Sequence, residues 1–312
     1  VANSIRVFAP AKINLFLHVG EKRSDGYHAL QSLVVFADVG DELVLTRSDA
    51  LTLSIDGPFA SSLTADSDNL VLRSARTLAE KASITAGAGI ALTKNLPVAS
   101  GIGGGSADAA ATLRGLRALW GLSRRGDDIV WGSWEPFYHR KTLYEAAVAI
   151  GSDVPVCLLS GPAWMEGRGE KIWSLHDLQD VDLVLVNPGV AVPTAEVFRG
   201  LEKRTGVAEM IPTGWGSSAP DLTAYLKDTR NDLEPPACAL YPVIGEVLGS
   251  LASQSGALLS RMSGSGATCF GIFKDAESAE LAAQRILAAS PDWWVRATKI
   301  ASHHVGLPRP AS

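Results

Sequence analysis

The sequence predicts an α+β fold. Three observations carry it: segments of period-two alternation are mixed with segments of helical period, the mixture lacks strict β-α-β alternation, and a central glycine loop runs straight into an alanine-rich helix. The chain's 312 residues allow two domains or one large one.

Taken in order, residues 5–19 read as strand, broken at Ala9-Pro10 and resumed through Ile13, Leu15, Leu17 and Val19. Lys12, Asn14, Phe16 and His18 occupy the opposite face, either a solvated surface or the wall of a cleft. Ser24-Asp25-Gly26 is turn chemistry, followed by Tyr27-His28, a pair that serves packing as readily as a site. Two strands follow at 30–38 and 41–47, with a turn at Val39-Gly40-Asp41, and another through Leu51, Leu53 and Ile55. Asp68-Asn69 opens a helix through Leu72, Ala75, Leu78 and Ala79, and Gly89–Lys94 is a short strand.

Gly101, Gly103, Gly104 and Gly105 then fall within five positions. Ser106 is the expected N-cap of a helix to Trp120, with Asp108 in its first turn, where the positive helix end favours acid. Converging backbone N–H groups, the absence of Cβ atoms and the helix dipole make such a loop an anion site. A tight structural turn is the plain reading, but linkers rarely run into a capped helix. No lysine follows in the Walker A position. Pro97 and a missing third glycine disfavour the dinucleotide fingerprint. The loop says phosphate without saying which nucleotide.

Downstream, Trp131, Trp134, Phe137, Tyr138 and Tyr144 form an aromatic segment around His139-Arg140-Lys141, a packing loop or a partner surface. Asp153 opens an apolar run beside Pro155, as an N-cap or a functional carboxylate. Gly161–Gly169 reads as a junction and Asp182–Val186 as strand, and Pro193-Thr194 starts a short helix carrying Phe198. Residues 204–220 read as loop, and a helix follows from about Pro242 to Ser253. A second glycine loop, Gly264-Ser265-Gly266, leads into a strand at Phe270–Phe273. A helix at 275–289 and a strand at 294–301 close the fold, with the last ten residues frayed.

Composition excludes several classes. At 46% hydrophobic and 20% charged, the chain is ordinary globular protein with a real core. A net charge of −5 without a basic stripe argues against a nucleic-acid binder, yet a few local lysines suffice for an anionic small substrate. Cys157, Cys238 and Cys269 are isolated, lack metal-site spacing and suit a reducing cytosol. No signal pattern and no run of about 18 apolar residues appears, so a cytoplasmic protein without a membrane partner is expected, as a monomer or weak homodimer.

Three stretches combine. Pro10-Ala11-Lys12-Ile13-Asn14-Leu15 with Asp25-Gly26-Tyr27-His28, Leu96-Pro97-Val98-Ala99-Ser100-Gly101-Ile102-Gly103-Gly104-Gly105-Ser106-Ala107-Asp108, and Met262–Cys269 resemble the small-molecule kinase superfamily of galactokinase, homoserine kinase, mevalonate kinase and phosphomevalonate kinase (GHMP). The similarity covers roughly residues 5–300. Together with Gly151-Ser152-Asp153-Val154-Pro155, the first motifs resemble the branch that phosphorylates the cytidine diphosphate conjugate of methylerythritol. Residues 127–146 depart from it, being longer and more aromatic than the short helical link expected there.

The resemblance implies an N-terminal ATP-binding and catalytic domain, residues 1–165, like ribosomal-protein S5 domain 2. It also implies a ferredoxin-like substrate-binding domain, residues 166–312, with the active site in the cleft between the two. ATP and Mg²⁺ are the implied cofactors, without a dedicated metal cage; Asp153 or Ser106 would touch the ion. The loop from Pro97 to Ala107 would cradle the ATP phosphates, with Asn69 and Lys94 near the adenine or ribose. Asp153 would be the general base, oriented by Lys12. Tyr27 and Phe198 would stack on cytosine, His28 would read its edge, and Asn14 and Thr194 would line the pocket. The second glycine loop would support the substrate diphosphate or the domain interface. Two rivals are another GHMP kinase and a silent nucleotide-binding protein. Tyr27-His28 argues against mevalonate or homoserine, which carry no base, and retention of Lys12 and Asp153 argues against silence.

Overall fold

Two chain breakers that the sequence places 30 residues apart face each other across one ladder. Strand β1 (Ser4–Lys22) and strand β2 (His28–Ser48) pair antiparallel along nearly their whole lengths, with Pro10 opposite Gly40. The register then jumps from Pro10↔Gly40 to Lys12↔Phe36. Proline has no N–H to give the ladder, and a Cβ on Gly40 would lie 2.3 Å from the Ala9 carbonyl oxygen. The expected break at Ala9-Pro10 and the expected turn at Val39-Gly40-Asp41 are therefore one bulge inside a continuous hairpin. The structure, a computed structural model, describes residues 3–22, 24, 26–85, 87–122, 141–176, 178–201, 218–301 and 305–311.

The first half continues through β3 (Leu51–Asp56), α1 (Leu70–Lys81), β4 (Gly87–Thr93), α2 (Gly104–Trp120), α3 (Lys141–Ile150), α4 (Val154–Leu159), β5 (Ala163–Gly167) and β6 (Lys171–Ser174). Strand β2 carries β4 on one stretch and β5 on another, both antiparallel, while β3 joins β4 in parallel. Helix α1 is capped as its sequence implies, with the Val71 amide donating to Asn69 Oδ1 at 2.9 Å. Helix α2 begins earlier than expected. Gly103, at φ 65°, holds the N-cap position, so Ser106 lies inside the first turn and is not the cap. The left-handed conformation that closes the loop is open to glycine at little cost. Asp108 does not answer the helix dipole at the surface either; it is buried and turned to Lys94.

The second half comprises β7 (Val181–Asn187), α5 (Thr194–Arg199), α6 (Ala219–Lys227), α7 (Glu234–Leu240), α8 (Val243–Ala252), β8 (Ala257–Met262), β9 (Cys269–Phe273), α9 (Ala276–Ala289), β10 (Trp294–Ile300) and β11 (Arg309–Pro310). Strands run in the order β10-β7-β9-β8, all antiparallel, with helices after the first and third: the ferredoxin-like arrangement. Helices α6 and α7 and strands β6 and β8 had no counterpart in the sequence reading. Both helices start with proline in the first turn, where the missing N–H costs nothing.

The described part of the tail, residues 305–311, is tied to the fold rather than frayed. Ile5 pairs with Pro310, and Gly306 accepts a hydrogen bond from Arg114 Nε at 3.0 Å. Gly161–Gly169 is no junction, because β5 within it is paired to β2 and β6 on its two sides, and residue 165 falls inside that strand. Most of the aromatic segment, including Trp131, Trp134, Phe137 and Tyr138, lies outside the described residues, as do Asp25 and most of the expected loop at 204–220. Tyr144, on α3, donates to the Glu170 carbonyl at 2.8 Å.

The halves meet where the bulge opens β2. Ile300 of β10 pairs with Ala37, and the Ala301 amide donates to the Phe36 carbonyl at 2.9 Å. One core cluster draws on both halves, with Ala11, Ile13 and Leu15 from β1 meeting Leu183, Leu185, Phe270 and Ile272. The cleft above that shared core is consequently framed by rigid elements.

Candidate active site

Just beyond the bulge, β1 turns a backbone group toward the glycine loop. The Lys12 amide donates to the Ile102 carbonyl at 2.9 Å, docking the glycine loop on β1. A Cβ on Gly103 would lie 3.1 Å from Lys12 Cβ and 3.2 Å from Cε, so the loop rests on the lysine stem. The Lys12 ammonium then reaches Asp153 Oδ2 at 2.9 Å. Lys12 is buried, while the Asp153 side chain is 40% exposed toward the cleft. Asp153 occupies the N-cap position of α4 but caps nothing with its side chain. Of the two readings of this residue, the side-chain cap is the one the geometry does not support.

What holds α4 in place was not legible beforehand. Arg114, on the same helix as the glycine loop, donates from Nη1 to the Cys157 carbonyl at 2.7 Å and to Ser160 Oγ at 2.8 Å, and from Nη2 to the Phe8 carbonyl at 3.1 Å. It thereby satisfies the C-terminal end of α4. Burial pulls its pKa down to about 10. The available signal was a lone arginine among the buried positions of an apolar helix.

A second buried cluster supports the loop from below. Lys94 Nζ contacts Asp41 Oδ2 at 2.5 Å and Asp108 Oδ2 at 2.6 Å, while Asp41 Oδ1 accepts the amides of Asn95 and Leu96 at 2.6 and 2.8 Å. A Cβ on Gly104 would lie 3.2 Å from the ammonium. Lys94, expected near the adenine or ribose, spends its charge on these two carboxylates and braces the first turn of α2. Burial pushes the Asp108 carboxyl up to about 8, against the pull of Lys94 and with the repulsion of Asp41. Burial lowers and the paired carboxylates raise the Lys94 ammonium, which ends above its usual value. Asp41, in the expected turn, is instead a strand residue that pairs with Ala9.

The two glycine loops pack on each other. The Thr268 amide donates to the Ser100 carbonyl at 3.0 Å, and Ser263 Oγ donates to the Gly101 carbonyl at 3.2 Å. A Cβ on Gly101 would lie 2.6 Å from the carbonyl oxygens of Ser263 and Gly266. Of the two expectations for the second loop, this contact supports the interface.

A cavity of about 1210 Å³ opens between the halves, lined by Lys12, Asn14, Tyr27, His28, Ser106, Asp153, Thr194 and Phe198. A smaller recess of about 500 Å³ lies beyond the loop, lined by Asn69, Lys94, Pro97 and Val98. Ala99, Gly104 and Gly105 line both, so the loop is their party wall. Ile102 and Ala107 line neither; their side chains are buried beneath the loop and support it.

At the far end of the larger cavity, Phe198 stacks on His28, with centroids 5.5 Å apart and planes at 27°. The expected sandwich of Tyr27 and Phe198 is thus modified, since one face of Phe198 is taken by His28. His28 Nδ1 lies 3.2 Å from the Gly20 carbonyl oxygen. Asn14 Nδ2 donates to Ser32 Oγ at 2.7 Å, leaving its buried Oδ1 with no hydrogen-bond partner among the described residues. Thr194 Oγ1 and Ser265 Oγ are 2.9 Å apart. Among the described residues no group of three or more His, Cys, Asp or Glu forms a metal cage, and no helix is long and apolar enough to cross a membrane.

The chain is similar to known proteins over most of its length. The family described as GHMP kinases N terminal domain matches residues 69–161, and GHMP kinases C terminal matches residues 220–292. The 4-diphosphocytidyl-2-C-methyl-D-erythritol kinase of Ruegeria pomeroyi is 50% identical over 295 residues, covering 93% of this chain and 97% of that protein. The protein of the same name from Parvibaculum lavamentivorans is 51% identical over 292 residues, covering 92% and 95%. Among solved structures, a 4-(cytidine 5'-diphospho)-2C-methyl-D-erythritol kinase has a TM-score of 0.71 at 31% identity, covering 95% of this chain and 99% of that one. A homoserine kinase from Cytophaga hutchinsonii, covering 98% of this chain and 97% of its own at 20% identity and a TM-score of 0.67, shares the fold.

Proposed function

The chain belongs to the 4-diphosphocytidyl-2-C-methyl-D-erythritol kinases of the GHMP superfamily, and on that premise we propose how its cleft works. The enzyme phosphorylates the 2-hydroxyl of 4-diphosphocytidyl-2-C-methyl-D-erythritol with ATP, in the non-mevalonate pathway to isoprenoid precursors. The observation that carries the assignment of roles is the 2.9 Å contact of Lys12 with a half-exposed Asp153 beside the glycine loop.

Phosphoryl transfer asks for positioning and charge stabilisation more than for covalent chemistry. The adenosine end of ATP occupies the smaller recess, and the phosphates cross the loop into the larger cavity. Asp153 accepts the proton of the 2-hydroxyl as its oxygen bonds to the γ-phosphorus and the bond from that phosphorus to the leaving oxygen of ADP breaks. Lys12 orients the carboxylate and balances charge on the transferring group. The exposed edge of Asp153 returns the proton to solvent. Ser106 and Asp153 offer the hard oxygen donors that suit Mg²⁺, which arrives with ATP and supplies charge neutralisation of its phosphates.

The base of the substrate lies at the other end. A carbonyl only accepts, so the contact with Gly20 puts the hydrogen of neutral His28 on Nδ1 and leaves Nε2 an acceptor. An acceptor there matches the amino group of cytosine and mismatches the carbonyl of uracil. Asn14 Oδ1, buried and without a hydrogen-bond partner among the described residues, would accept from a substrate hydroxyl. The N-terminal half supplies ATP binding and catalysis and the C-terminal half completes the substrate pocket. Three free thiols, two of them buried, support a cytoplasmic setting.

Coupled ADP release measured across a panel of alcohols tests the proposal. Turnover should be confined to the cytidylylated alcohol. Equal turnover of free methylerythritol, mevalonate or homoserine would overturn it.

A further inference from the structure

Tyr27 is 55% exposed, so packing alone does not hold the ring that is expected to carry the base. Its neighbour is Arg168, whose guanidinium carbon stands 5.1 Å from the ring centroid. Both residues line the larger cavity. Arg168 belongs to the turn between β5 and β6, and that turn is fixed from three sides. Gly167 and Gly169 take φ of 77° and 113°, conformations that favour glycine. The Arg168 amide donates to the Glu170 carboxylate. A Cβ on Gly169 would lie 2.9 Å from the Ser152 carbonyl oxygen, so the turn is wedged against the residue before Asp153. On the sheet side, Gly167 is in register with Leu30, two residues past His28.

We infer that Arg168 is a specificity-determining positioning residue that caps one face of Tyr27 and leaves the opposite face as the platform for the substrate's base. The inference rests on the cytidine-bearing substrate proposed above. A guanidinium over an aromatic face is attracted by the ring quadrupole, and Arg presents a plane that matches the ring. With one face capped, the base has a single side on which to stack. The rigid turn sets where that side lies relative to Asp153, because the same turn abuts Ser152.

A double-mutant cycle on the intact enzyme tests this, with 4-diphosphocytidyl-2-C-methyl-D-erythritol as the probe. Arg168→Leu should raise KM for that substrate about threefold to tenfold, the range of a cation–π contact, with the change in KM rather than kcat and KM for ATP unmoved. Arg168→Lys, which keeps a cation but not the plane, should recover part of the loss. In a Tyr27→Ala background Arg168→Leu should add nothing, since the residue acts through the ring. A full and additive effect in that background would mean that Arg168 contacts the substrate diphosphate directly, and would overturn the inference. So would an unchanged KM in Arg168→Leu. Wild-type enzyme inactive on this substrate would instead remove the functional reading on which the inference stands.

Discussion

Gly103 sits on the stem of Lys12: the Cβ that the glycine lacks would fall 3.1 Å from Lys12 Cβ, with the same lysine holding Asp153 at its far end. The glycine loop and the Asp153 carboxylate are therefore positioned by opposite ends of one side chain.

Gly103→Val should disturb both ends. Gly103 adopts φ 65°, where a residue bearing a Cβ is strained by about 1–2 kcal/mol. The valine must also displace Lys12. Affinity for a non-hydrolysable ATP analogue, measured by calorimetric titration, should fall about tenfold or more. Unchanged affinity in a folded variant would place the phosphates elsewhere.

Asp153→Asn keeps the shape of the residue and removes the base. Because Asp153 makes no cap bond with its side chain, α4 should survive the change and ATP affinity should stay near wild type. Turnover should drop about 10²–10⁴-fold, the usual worth of a general base. Single-turnover kinetics at saturating substrate will check it, and near-normal rates would end the assignment.

Asp108 predicts a pH dependence. Its folded pKa, raised by burial to about 8 from 3.8, lies above the unfolded value, so between those values the folded state binds more protons. Stability must then fall as pH rises from about 4 toward about 8 and lose no more from this group above that. Asp108→Asn, close to the protonated shape and leaving Lys94 its contact with Asp41, should flatten the slope. Thermal melts of both proteins across that interval should show the variant gaining on wild type as pH rises; parallel curves would contradict it.

His28→Ala should erode discrimination between bases. An unpaired buried group costs about 1–3 kcal/mol, which is what wild type should hold against the uridine analogue. The ratio of kcat/KM for the cytidine and uridine conjugates should shrink in the variant. It also uncovers the face of Phe198 on which His28 stacks, so affinity for both conjugates should fall.

Some of this site was legible in the primary structure because its residues are local: Lys12 and Asn14 alternate on one strand, and the glycine run meets its helix directly. The buried charges were not, because each is satisfied by a distant element. Asp41 and Lys94 are 53 residues apart, and Arg114 reaches the Gly306 carbonyl across 192. Periodicity reports which face a residue takes, not what it meets there. The cap of α2 was misplaced for a different reason, since a serine's hydroxyl is a visible signal whereas a glycine's left-handed φ is not.

The bulge in the central hairpin has a further consequence. From the Pro10 pair to the Lys12 pair, β1 advances two residues while β2 retreats four, so β2 carries two more residues than a regular ladder needs. In the first pair beyond the bulge, the Lys12 amide and the Phe36 carbonyl turn outward from the hairpin, to Ile102 and to Ala301. Deleting two residues between Phe36 and Gly40 would make the ladder regular at the place where the glycine loop and the second half of the fold attach. A deletion that took Ala37 would remove the residue that pairs with Ile300 at the seam between the halves. Redesign that rewards regular strands would favour that deletion, and would thereby act on the seam that holds the two sides of the cleft together.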